Sequence, residues 1–272
     1  MPLLRLEPPQ ERLSAAELRR RIAAGGPALV ALSGGVDSAV VAALAVDALG
    51  EEALAATVVG PAVAQEELAW STRVARHLGI THEWVPADPL ADVAYRANGP
   101  DRCYRCRTVE GGALAARAAE RGIAQKLDGV HGDDLGEDRP GTRAMEEAGF
   151  RHPLLEGGWR KADVRAFATE RGLPNADLPS NACLASRIAT GETVTPELLA
   201  QVERAEAVVR GLGFGRVRVR VRESTARVEV DPEEVDRLFE PVTSAAVHRR
   251  LEELGFRAVD LDRAGYRRRA SA

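Results

Sequence analysis

Short apolar runs alternate with longer helical stretches along the first two thirds of the chain. The runs 28–32, 53–59 and 81–85 have the length and composition of short buried strands. The stretches 38–49 and 66–78 lie between them and have the composition of helices. This alternation of strands and helices predicts an α/β fold with a parallel, doubly wound sheet.

Further elements continue this pattern. We predict a first helix over 14–24, another over 107–122 and a fourth strand over 124–130. The helix predicted over 161–172 ends at a glycine, and a proline follows two residues later. The segment 173–196 is rich in Pro, Asn, Asp, Ser and Gly, and a loop of that length is usually functional or flexible.

The pattern changes after Pro196. The elements predicted there are a helix over 197–211, strands over 216–222 and 226–230, helices from Pro232 and over 243–254, and a last strand over 256–261. Adjacent strands with flanking helices are typical of a small α+β unit. We therefore predict two domains, 1–192 and 193–272.

Composition and charge narrow the range of partners. The chain has 272 residues, 45% of them hydrophobic, which is enough to fill a substantial globular core. Its formal net charge of -4 argues against the strongly basic field that nonspecific nucleic-acid binding needs, so we expect no nucleic-acid partner. The amino-terminal segment is interrupted by charge and proline, and no later apolar run approaches the length of a membrane span. We therefore expect a cytoplasmic protein without a membrane partner.

The six residues SGGVDS (33–38) interrupt the apolar pattern between the first strand and the helix that follows. A strand that ends in glycines and enters a helix points backbone N–H groups and a helix amino terminus at one spot. Glycine also lets the backbone approach a bound group closely. The pattern indicates an anion site, although a tight turn with nothing bound has the same features. Neither the Walker pattern nor a GxGxxG dinucleotide fingerprint is present.

This motif, placed after a buried strand, resembles the PP-loop of the ATP pyrophosphatase superfamily. The resemblance implies an adenine-nucleotide α hydrolase-like fold that cleaves ATP to AMP and pyrophosphate and adenylylates a substrate oxygen. The residues that it assigns to the pyrophosphate half of ATP are Ser33, Gly34, Gly35 and Ser38. Asp37 is suited to a magnesium ion, and the adenine is expected against the second strand near Thr57 and Val58.

Three segments further along the chain resemble the LarE family of ATP-dependent sulfur-insertion enzymes. They are GDDLGEDRPGTRAMEEAGFRHPL, GWRKADVRAF and LPSNACLASRIATGETVT, and the resemblance covers nearly the entire chain. It implies a small-molecule nucleotide substrate, pyridinium-3,5-biscarboxylic acid mononucleotide, whose carboxylates are adenylylated and converted to thiocarboxylates in nickel-pincer nucleotide biosynthesis. Cys183 matches the catalytic cysteine that donates or holds the sulfur. Independently of the resemblance, a thiolate is a strong nucleophile toward an acyl adenylate.

Cys103 and Cys106 stand in C-x-x-C spacing, which in a reducing compartment favours metal or redox chemistry over a disulfide. The residues alone leave open a zinc site with His131 or His152 as a further ligand, a pair of thiols, or a chance pairing at a helix start. Family members with such a pair are similar to the type that carries a [4Fe-4S] cluster on three cysteines. By that resemblance we expect Cys103, Cys106 and Cys183 to bind a [4Fe-4S] cluster that holds the sulfur for transfer.

Other polar residues are candidates for the nucleotide site. Asp133 and Asp134 follow the fourth strand and could position magnesium or the ribose, or simply form a turn. Lys161 and Arg187 are candidates to neutralise phosphate charge during adenylyl transfer, although a lysine at a helix start is often only solvated.

Four arginines alternate with valines over 216–222, so in a strand they lie on one face. Like charges at such positions repel one another unless an anion meets them. The resemblance matches Arg218 and Arg220 to phosphate-binding arginines and makes Glu206 their partner in a substrate site. The alternative is a solvated strand face with Glu223 and Glu229 as cross-strand partners.

The resemblance also gives a role to each predicted domain. It makes 1–192 the PP-loop ATP pyrophosphatase domain and 193–272 a domain for substrate binding and oligomerisation, in a homo-oligomer such as a hexamer. Three rival functions stay open. The first is a tRNA thiolation enzyme of the same superfamily, and the second is a non-catalytic ATP-binding sensor. The third is an amidotransferase similar to NAD or GMP synthetase, for which Cys183 would have no use.

Overall fold

The computed structural model describes residues 11–135, 140–179 and 182–266. Within them the chain forms two compact units. The first unit takes in 11–89 and 103–179, and the second takes in 90–102 and 182–266. The domain boundary between 192 and 193 stays a prediction, because packing contacts within one chain do not test which parts fold or act alone.

Helices and strands are numbered in chain order. The helices of the described chain are α1 (Ala15–Ala23), α2 (Val36–Leu49), α3 (Gln65–Leu78), α4 (Val93–Arg96), α5 (Arg102–Glu120), α6 (Pro140–Glu147), α7 (Pro153–Glu156), α8 (Lys161–Glu170), α9 (Pro196–Arg210), α10 (Val235–Leu238) and α11 (Pro241–Glu253). The strands are β1 (Ala28–Ala31), β2 (Ala53–Val59), β3 (Thr81–Pro86), β4 (Gln125–Leu127), β5 (Phe150–Arg151), β6 (Val217–Arg222), β7 (Thr225–Val230) and β8 (Ala258–Leu261). None of the helices in the described ranges combines the length and apolar character that a membrane crossing requires.

The first unit is built on a parallel sheet, which confirms the predicted fold class. Among its described residues, five strands pair in the order β3-β2-β1-β4-β5. β1 is central, with β2 on one side and β4 on the other. Because the chain leaves β1 toward β2 and later returns to β4, the strand order reverses at the carboxyl end of β1. A crevice at this reversal is where ligands of open α/β sheets bind.

Helices cover both faces of the sheet. One core contains apolar side chains of α1, α2, α3 and α8, and the other contains side chains of α5 and α6. In α2 every residue from Val36 to Ala45 except Asp37 is buried. Its many alanines have short side chains, so neighbouring elements can approach this helix closely. The turn between β1 and α2 therefore leads into a helix that is almost entirely buried over 36–45.

Some predicted elements of the first unit differ from the observed ones. α5 begins at Arg102 and not at 107, so the C-x-x-C pair is helical. β4 is shorter than the predicted 124–130. The sequence pattern does not predict α4, α6, α7 or β5, because elements of two to eight residues contain too little periodicity to be recognised.

The second unit is the predicted α+β unit. Among its described residues, three strands form a mixed sheet in the order β6-β7-β8. β6 and β7 pair antiparallel, and the turn between them is made by Glu223 and Ser224, with φ of 48° and 67°. Positive φ at both turn residues matches the twist of paired strands. β8 then adds parallel to β7.

A buried histidine joins the ends of β4 and β5. His152 follows β5, is 1% exposed, and its Nδ1 lies 2.6 Å from Oδ1 of Asp128, which follows β4. Burial lowers the pKa of His152, but the hydrogen bond to Asp128 and the negative charges of Asp128, Glu146 and Glu156 outweigh burial, so the pKa is raised above its usual value.

We predict that His152 makes the stability of the protein depend on pH. The folded protein binds the His152 proton more tightly than the unfolded chain, so this contribution is complete below the unfolded pKa of about 6.5 and is lost as the pH rises through the higher folded pKa. The free energy of unfolding should therefore fall above about pH 6.5, by at most about 1.4 kcal/mol per pH unit. Urea unfolding of the wild type and His152→Gln across this range measures the effect.

The matched control is His77→Gln, which removes an exposed histidine. It should keep the pH dependence of the wild type, whereas His152→Gln should flatten it. An equal slope in the wild type and His152→Gln would contradict this account of the pair.

Candidate functional site

The turn between β1 and α2 depends on a glycine that lies against a neighbouring helix. Gly34 has φ of +83°, in the left-handed region. A Cβ atom at this position would lie 2.6 Å from the carbonyl oxygen of Glu67 and 2.8 Å from the amide nitrogen of Ser71, both in α3. Only glycine combines this φ with this close approach.

Two serines close the same turn. Ser38 Oγ accepts the backbone N–H of Ser33 at 3.1 Å and donates to the carbonyl of Gly35 at 3.0 Å. Gly35 is the N-cap of α2 and has no side chain to cover the first turn of the helix. The structure thus brings Ser33, Gly34, Gly35 and Ser38 together at the amino terminus of a long buried helix, which favours a bound anion.

A cluster of charged side chains lies beside this turn. Lys161 Nζ is 2.6 Å from both Oδ1 and Oδ2 of Asp37, and the backbone N–H of Lys161 donates to Asp133 Oδ2 at 2.7 Å. His131 Nε2 lies 3.5 Å from Asp37 Oδ1, and the backbone N–H of His131 donates to Asp134 Oδ2 at 3.2 Å. One ammonium and several carboxylates therefore meet where the sheet opens, a set that suits a phosphate group together with a hard cation.

A second glycine lets this cluster form. A Cβ atom on Gly129 would lie 2.7 Å from the amide nitrogen of Ser38 and 2.8 Å from the carbonyl carbon of Asp37. The chain that leaves β4 thus passes in direct contact with the first turn of α2. This contact carries the segment with Asp133 and Asp134 toward Asp37.

Thr57 is buried, and its hydroxyl is engaged within the sheet. Its Oγ1 donates to the carbonyl of Leu32 at 2.5 Å and lies 2.7 Å from Nε2 of His82. Because the carbonyl can only accept, the hydroxyl proton points to Leu32 and the second bond uses a proton on His82 Nε2. Burial lowers the pKa of His82, which favours the neutral ring. A groove of about 420 Å³ begins two residues later at Val59 and is also lined by Trp84.

The C-x-x-C pair lies at the start of α5. Cys103 and Cys106 are three residues apart in a helix, so their side chains project from one face. Cys103 is exposed, and Cys106 is partly buried with its Sγ 3.4 Å from Glu110 Oε1. In the ranges that the structure describes, no group of three or more His, Cys, Asp and Glu side chains has the geometry of a metal site. The metal assignments stay predictions.

In the second unit, a buried ion pair holds the segment that carries Cys183. Arg187 is 2% exposed, and its Nε lies 2.8 Å from Glu206 Oε1. The same guanidinium donates from Nη1 to the carbonyl of Cys183 at 3.1 Å. Glu206 also accepts the backbone N–H of Val219 in β6 at 3.2 Å. The pair therefore fixes the backbone at Cys183, and the phosphate-binding role of Arg187 stays a prediction.

The segment 90–102 supports the turn that follows Cys183. Asn98 is 0% exposed, has φ of 55°, and donates from Nδ2 to the carbonyl of Ala189 at 2.8 Å. Arg102 Nη1 donates to Asn98 Oδ1 at 2.6 Å and to the carbonyl of Ala185 at 3.0 Å. The 3-10 turn after Cys183 is thus hydrogen-bonded to a segment about 90 residues earlier in the chain.

Arg218 and Arg220 lie on one face of β6 but in different surroundings. Arg220 Nε is 2.5 Å from Oε1 of Glu229 in β7, so its charge is balanced. Arg218 Nη2 donates to Ser186 Oγ at 3.1 Å. Burial lowers the pKa of Arg218, and the positive charges of Arg187 and Arg220 lower it further. An anion bound at Arg218 would relieve this repulsion.

The chain is similar to known proteins over most of its length. The Asparagine synthase family model matches residues 11–97. An uncharacterized protein of Synechocystis sp. is 41% identical over 88% of this chain and 89% of its own length. The pyridinium-3,5-bisthiocarboxylic acid mononucleotide synthase of Lactiplantibacillus plantarum is 37% identical over 88% of this chain and 86% of that protein. The chain belongs to the LarE family.

Membership of the LarE family makes the protein an ATP-dependent sulfurtransferase with a PP-loop. The resemblance drawn from SGGVDS and from the segment around Cys183 is thereby confirmed. A tRNA-specific 2-thiouridylase of Xanthobacter autotrophicus is 36% identical over 56% of this chain and 49% of that protein. That match covers a smaller share of both chains.

Sequence reasoning misses Gly129 beside the PP-loop of the first unit and Asn98 in the second unit. Gly129 follows Asp128 at the end of a strand, where a glycine can signal a close backbone approach. Asn98 stands before Gly99 and Pro100, a pattern that signals a turn. Neither signal identifies the partner, because the contacting segments are distant in sequence.

We predict that Gly129→Ala damages the nucleotide site of this LarE family member. Its Cβ would overlap the backbone of Asp37 and Ser38, so the first turn of α2 must shift at a cost of about 1–3 kcal/mol in stability. We expect the affinity for ATP to fall by about tenfold or more, since this turn presents the anion-binding N–H groups. Calorimetric titration with a nonhydrolysable ATP analogue measures the change.

Gly112→Ala is the control for that substitution. Its Cβ would meet nothing within 4 Å, and it lies inside α5, so it should raise stability by about 0.5–1 kcal/mol and leave nucleotide affinity unchanged. Wild-type affinity in Gly129→Ala would show that the close approach does not shape the site.

Proposed function

We propose that this enzyme uses ATP to replace carboxylate oxygen by sulfur in pyridinium-3,5-biscarboxylic acid mononucleotide, during nickel-pincer nucleotide biosynthesis. The observation that carries the proposal is the meeting of the PP-loop with Lys161 and Asp133 around Asp37. Such a set can bind the phosphates of ATP at the crevice of the sheet. The substrate is taken from the relative that is a pyridinium-3,5-bisthiocarboxylic acid mononucleotide synthase.

The first step is adenylylation of a substrate carboxylate. A carboxylate oxygen attacks the α-phosphorus of ATP, the bond to the bridging oxygen breaks, and pyrophosphate leaves. The N–H groups at Gly35 and the start of α2, with the ammonium of Lys161, would stabilise the charge on the departing pyrophosphate. The acyl adenylate that results has a carbonyl carbon open to a sulfur nucleophile.

The second step replaces AMP by sulfur. If Cys183 itself is the donor, its thiolate adds to the carbonyl carbon, AMP leaves, and a thioester forms. Loss of the Cα proton then breaks the Cβ–Sγ bond, which leaves a thiocarboxylate on the product and dehydroalanine at position 183. The hydrogen bond from Arg187 to the carbonyl of Cys183 supports this role, because it fixes the backbone that carries the thiol.

A substrate phosphate is assigned to the second unit. Arg218 is partly buried beside other cations, so an anion there would be stabilised, and Ser186 is a neighbouring hydroxyl. Arg220 belongs to the same face, although Glu229 already balances it. Glu206 would act through Arg187, which it holds in place.

The adenine is assigned to the carboxyl end of β2. Thr57 and Val58 lead directly into the groove that begins at Val59. Trp84 lines this open groove and offers an aromatic surface on which a purine can stack.

Magnesium is assigned to Asp37, with Asp133 and Asp134 as further oxygen donors. Carboxylate oxygens are ligands that magnesium prefers, so the residues fit this ion. Bound there, magnesium would supply positive charge to the phosphate oxygens of ATP. Asp37 would then share its carboxylate between the metal and Lys161.

The alternative to a sacrificed Cys183, and the one we propose for this chain, is a [4Fe-4S] cluster held by Cys103, Cys106 and Cys183 that carries the sulfur. The placement of two cysteines on one face of α5 fits two thiolate ligands. When bound, the cluster would supply an iron without a protein ligand, to which a sulfide can attach.

The wider biological setting is proposed on the family relationship. We assign the enzyme to the cytoplasm and to a homo-oligomer such as a hexamer, with ATP chemistry in 1–192 and substrate binding in 193–272. A tRNA thiolation enzyme is the second candidate, favoured by the similarity to a 2-thiouridylase. The net charge of -4 favours the small substrate over an RNA.

We predict that the purified enzyme forms AMP and pyrophosphate in equal amounts when it is given ATP, magnesium and the pyridinium dicarboxylate. Asp37→Ala should lower this rate by more than about 100-fold, because it removes the proposed metal ligand and the partner of Lys161. Cys183→Ser should lower thiocarboxylate formation by a similar factor, since its hydroxyl is a poor nucleophile. Chromatography of nucleotides and mass spectrometry of the product measure both.

Glu253→Ala, which removes an exposed acid of the same chain, should leave both rates unchanged. Unimpaired thiocarboxylate formation in Cys183→Ser would contradict the proposal. So would pyrophosphate release that depends on tRNA and not on the pyridinium substrate.

We predict that the cluster, if assembled anaerobically, is lost when either cysteine of the α5 pair is replaced. Cys103→Ser and Cys106→Ser should each abolish the broad visible absorbance and the bound iron, because three thiolates are needed to hold it. Iron analysis and absorbance of the reconstituted proteins measure this. The cluster assignment is wrong if the wild type binds no iron and Cys183 instead loses its sulfur during turnover, which intact-protein mass spectrometry would show.

A further inference from the structure

Asn175 lies near the start of the long polar segment 173–196. Its side chain contacts the PP-loop, which belongs to the same unit. The residue is 1% exposed, and its Nδ2 lies 2.8 Å from the carbonyl oxygen of Gly34. A carbonyl oxygen can only accept a hydrogen bond, so the part of the amide that faces it is the NH2 group. Asn175 therefore binds the PP-loop backbone across 141 residues of sequence.

This hydrogen bond fixes a whole peptide unit. The peptide bond is planar, so the C=O of Gly34 and the N–H of Gly35 form one rigid group and point in opposite directions. Neither residue has a side chain, and the N–H of Gly35 makes a long hydrogen bond of 3.4 Å to Ser33 Oγ, so the shorter bond from Asn175 is a strong restraint on this unit. With the carbonyl turned toward Asn175, the N–H of Gly35 must point away from Asn175.

Gly35 is the N-cap of α2, where the proposed pyrophosphate binds, and its N–H contacts Ser33 Oγ at 3.4 Å, a long bond that a phosphate oxygen would replace. We propose that Asn175 is a positioning residue for pyrophosphate: it orients the peptide between Gly34 and Gly35 so that this N–H meets the departing phosphates. This inference rests on the proposed function and adds to it a residue outside the PP-loop motif.

Asn175 is itself held by the helix that carries Lys161. Arg165 lies one turn after Lys161 in α8 and donates from Nη1 to the carbonyl of Ala176 at 2.6 Å. Helix α8 therefore acts on the PP-loop in two ways. It contacts Asp37 directly through Lys161, and it fixes the backbone next to Asn175.

The remaining amide atom argues against a role in stability alone. Asn175 Oδ1 is buried and accepts no hydrogen bond from the described residues. A buried acceptor without a partner destabilises a fold, which offsets the gain from the bond to Gly34. The bond to Gly34 therefore acts on the orientation of the Gly34 peptide and not on stability alone.

The experiment compares the binding of two probes, inorganic pyrophosphate and AMP, to the wild type and to Asn175→Ala by calorimetric titration. AMP lacks the two phosphates that depart, so it does not need the oriented N–H of Gly35. We expect Asn175→Ala to bind pyrophosphate about tenfold more weakly and AMP as tightly as the wild type. Asn175→Asp, which places an acceptor against the carbonyl of Gly34, should weaken pyrophosphate at least as much.

The matched control is Gln125→Ala. Gln125 is also a buried amide of the first unit, and its Nε2 donates to the carbonyl of Gly26 at 2.9 Å, at the amino end of the strands. Gln125→Ala should lose at least as much stability in urea as Asn175→Ala but bind both probes as the wild type does.

Two results would overturn the inference. One is wild-type pyrophosphate affinity in Asn175→Ala, and the other is an equal loss of pyrophosphate and AMP, which indicates general damage to the fold. A wild-type protein that binds neither ATP nor pyrophosphate is a different result, because it contradicts the proposed function itself.

Discussion

The site depends on one constraint, the close approach of separate backbone segments around the first turn of α2. Gly34 lies against the backbone of α3, and Gly129 lies against the backbone of Asp37 and Ser38. A side chain at either glycine would need space that other main-chain atoms occupy. Because a glycine leaves that space free for main-chain atoms, the N–H groups of α2 and the polar ends of three other segments can lie in one small region. The crevice that a doubly wound sheet offers at its strand reversal becomes a site only through this packing.

Several buried polar contacts in the molecule are poor sources of stability, and this points to what they do instead. A buried ion pair such as Arg187 with Glu206 loses much hydration on folding, so an apolar pair can be equally stable. The ion pair does fix the position of the backbone, because Arg187 also donates a hydrogen bond to the carbonyl of Cys183. Asn175 is similar, with one amide atom bonded and the other without a partner among the described residues. Arg187 sets the direction of the Cys183 carbonyl, and Asn175 sets that of the Gly34 carbonyl. Each carbonyl lies next to a group that the proposed reaction uses.

Local sequence was enough to predict the framework of the fold and the position of the anion-binding turn. Buried parallel strands are nearly uniform apolar runs, and SGGVDS is a contiguous motif, so both can be recognised within a few residues. Contacts between distant positions could not be predicted this way. The pairing of Asp37 with Lys161 joins residues 124 positions apart, and that of Asn98 with Ala189 joins residues 91 positions apart. From the sequence alone, the polar residues of these pairs could equally well lie on a solvated surface. Only the topology of the folded chain shows that they are in contact. Elements as short as β5 were missed because two residues have no measurable period.

The charges at the PP-loop bear on the magnesium ion of the proposed function. Lys161 is the cation nearest the turn in the described cluster, and both oxygens of Asp37 already lie 2.6 Å from it. That pairing leaves little net positive charge for a polyanion such as ATP, and Asp133 and Asp134 add further negative charge close by. Backbone N–H groups and a helix terminus contribute only partial charges. A divalent cation that arrives with the nucleotide would bind the carboxylates and release Lys161 toward the phosphates. The acidic residues of the cluster would then assist the binding of an anion that, without the metal, they would repel.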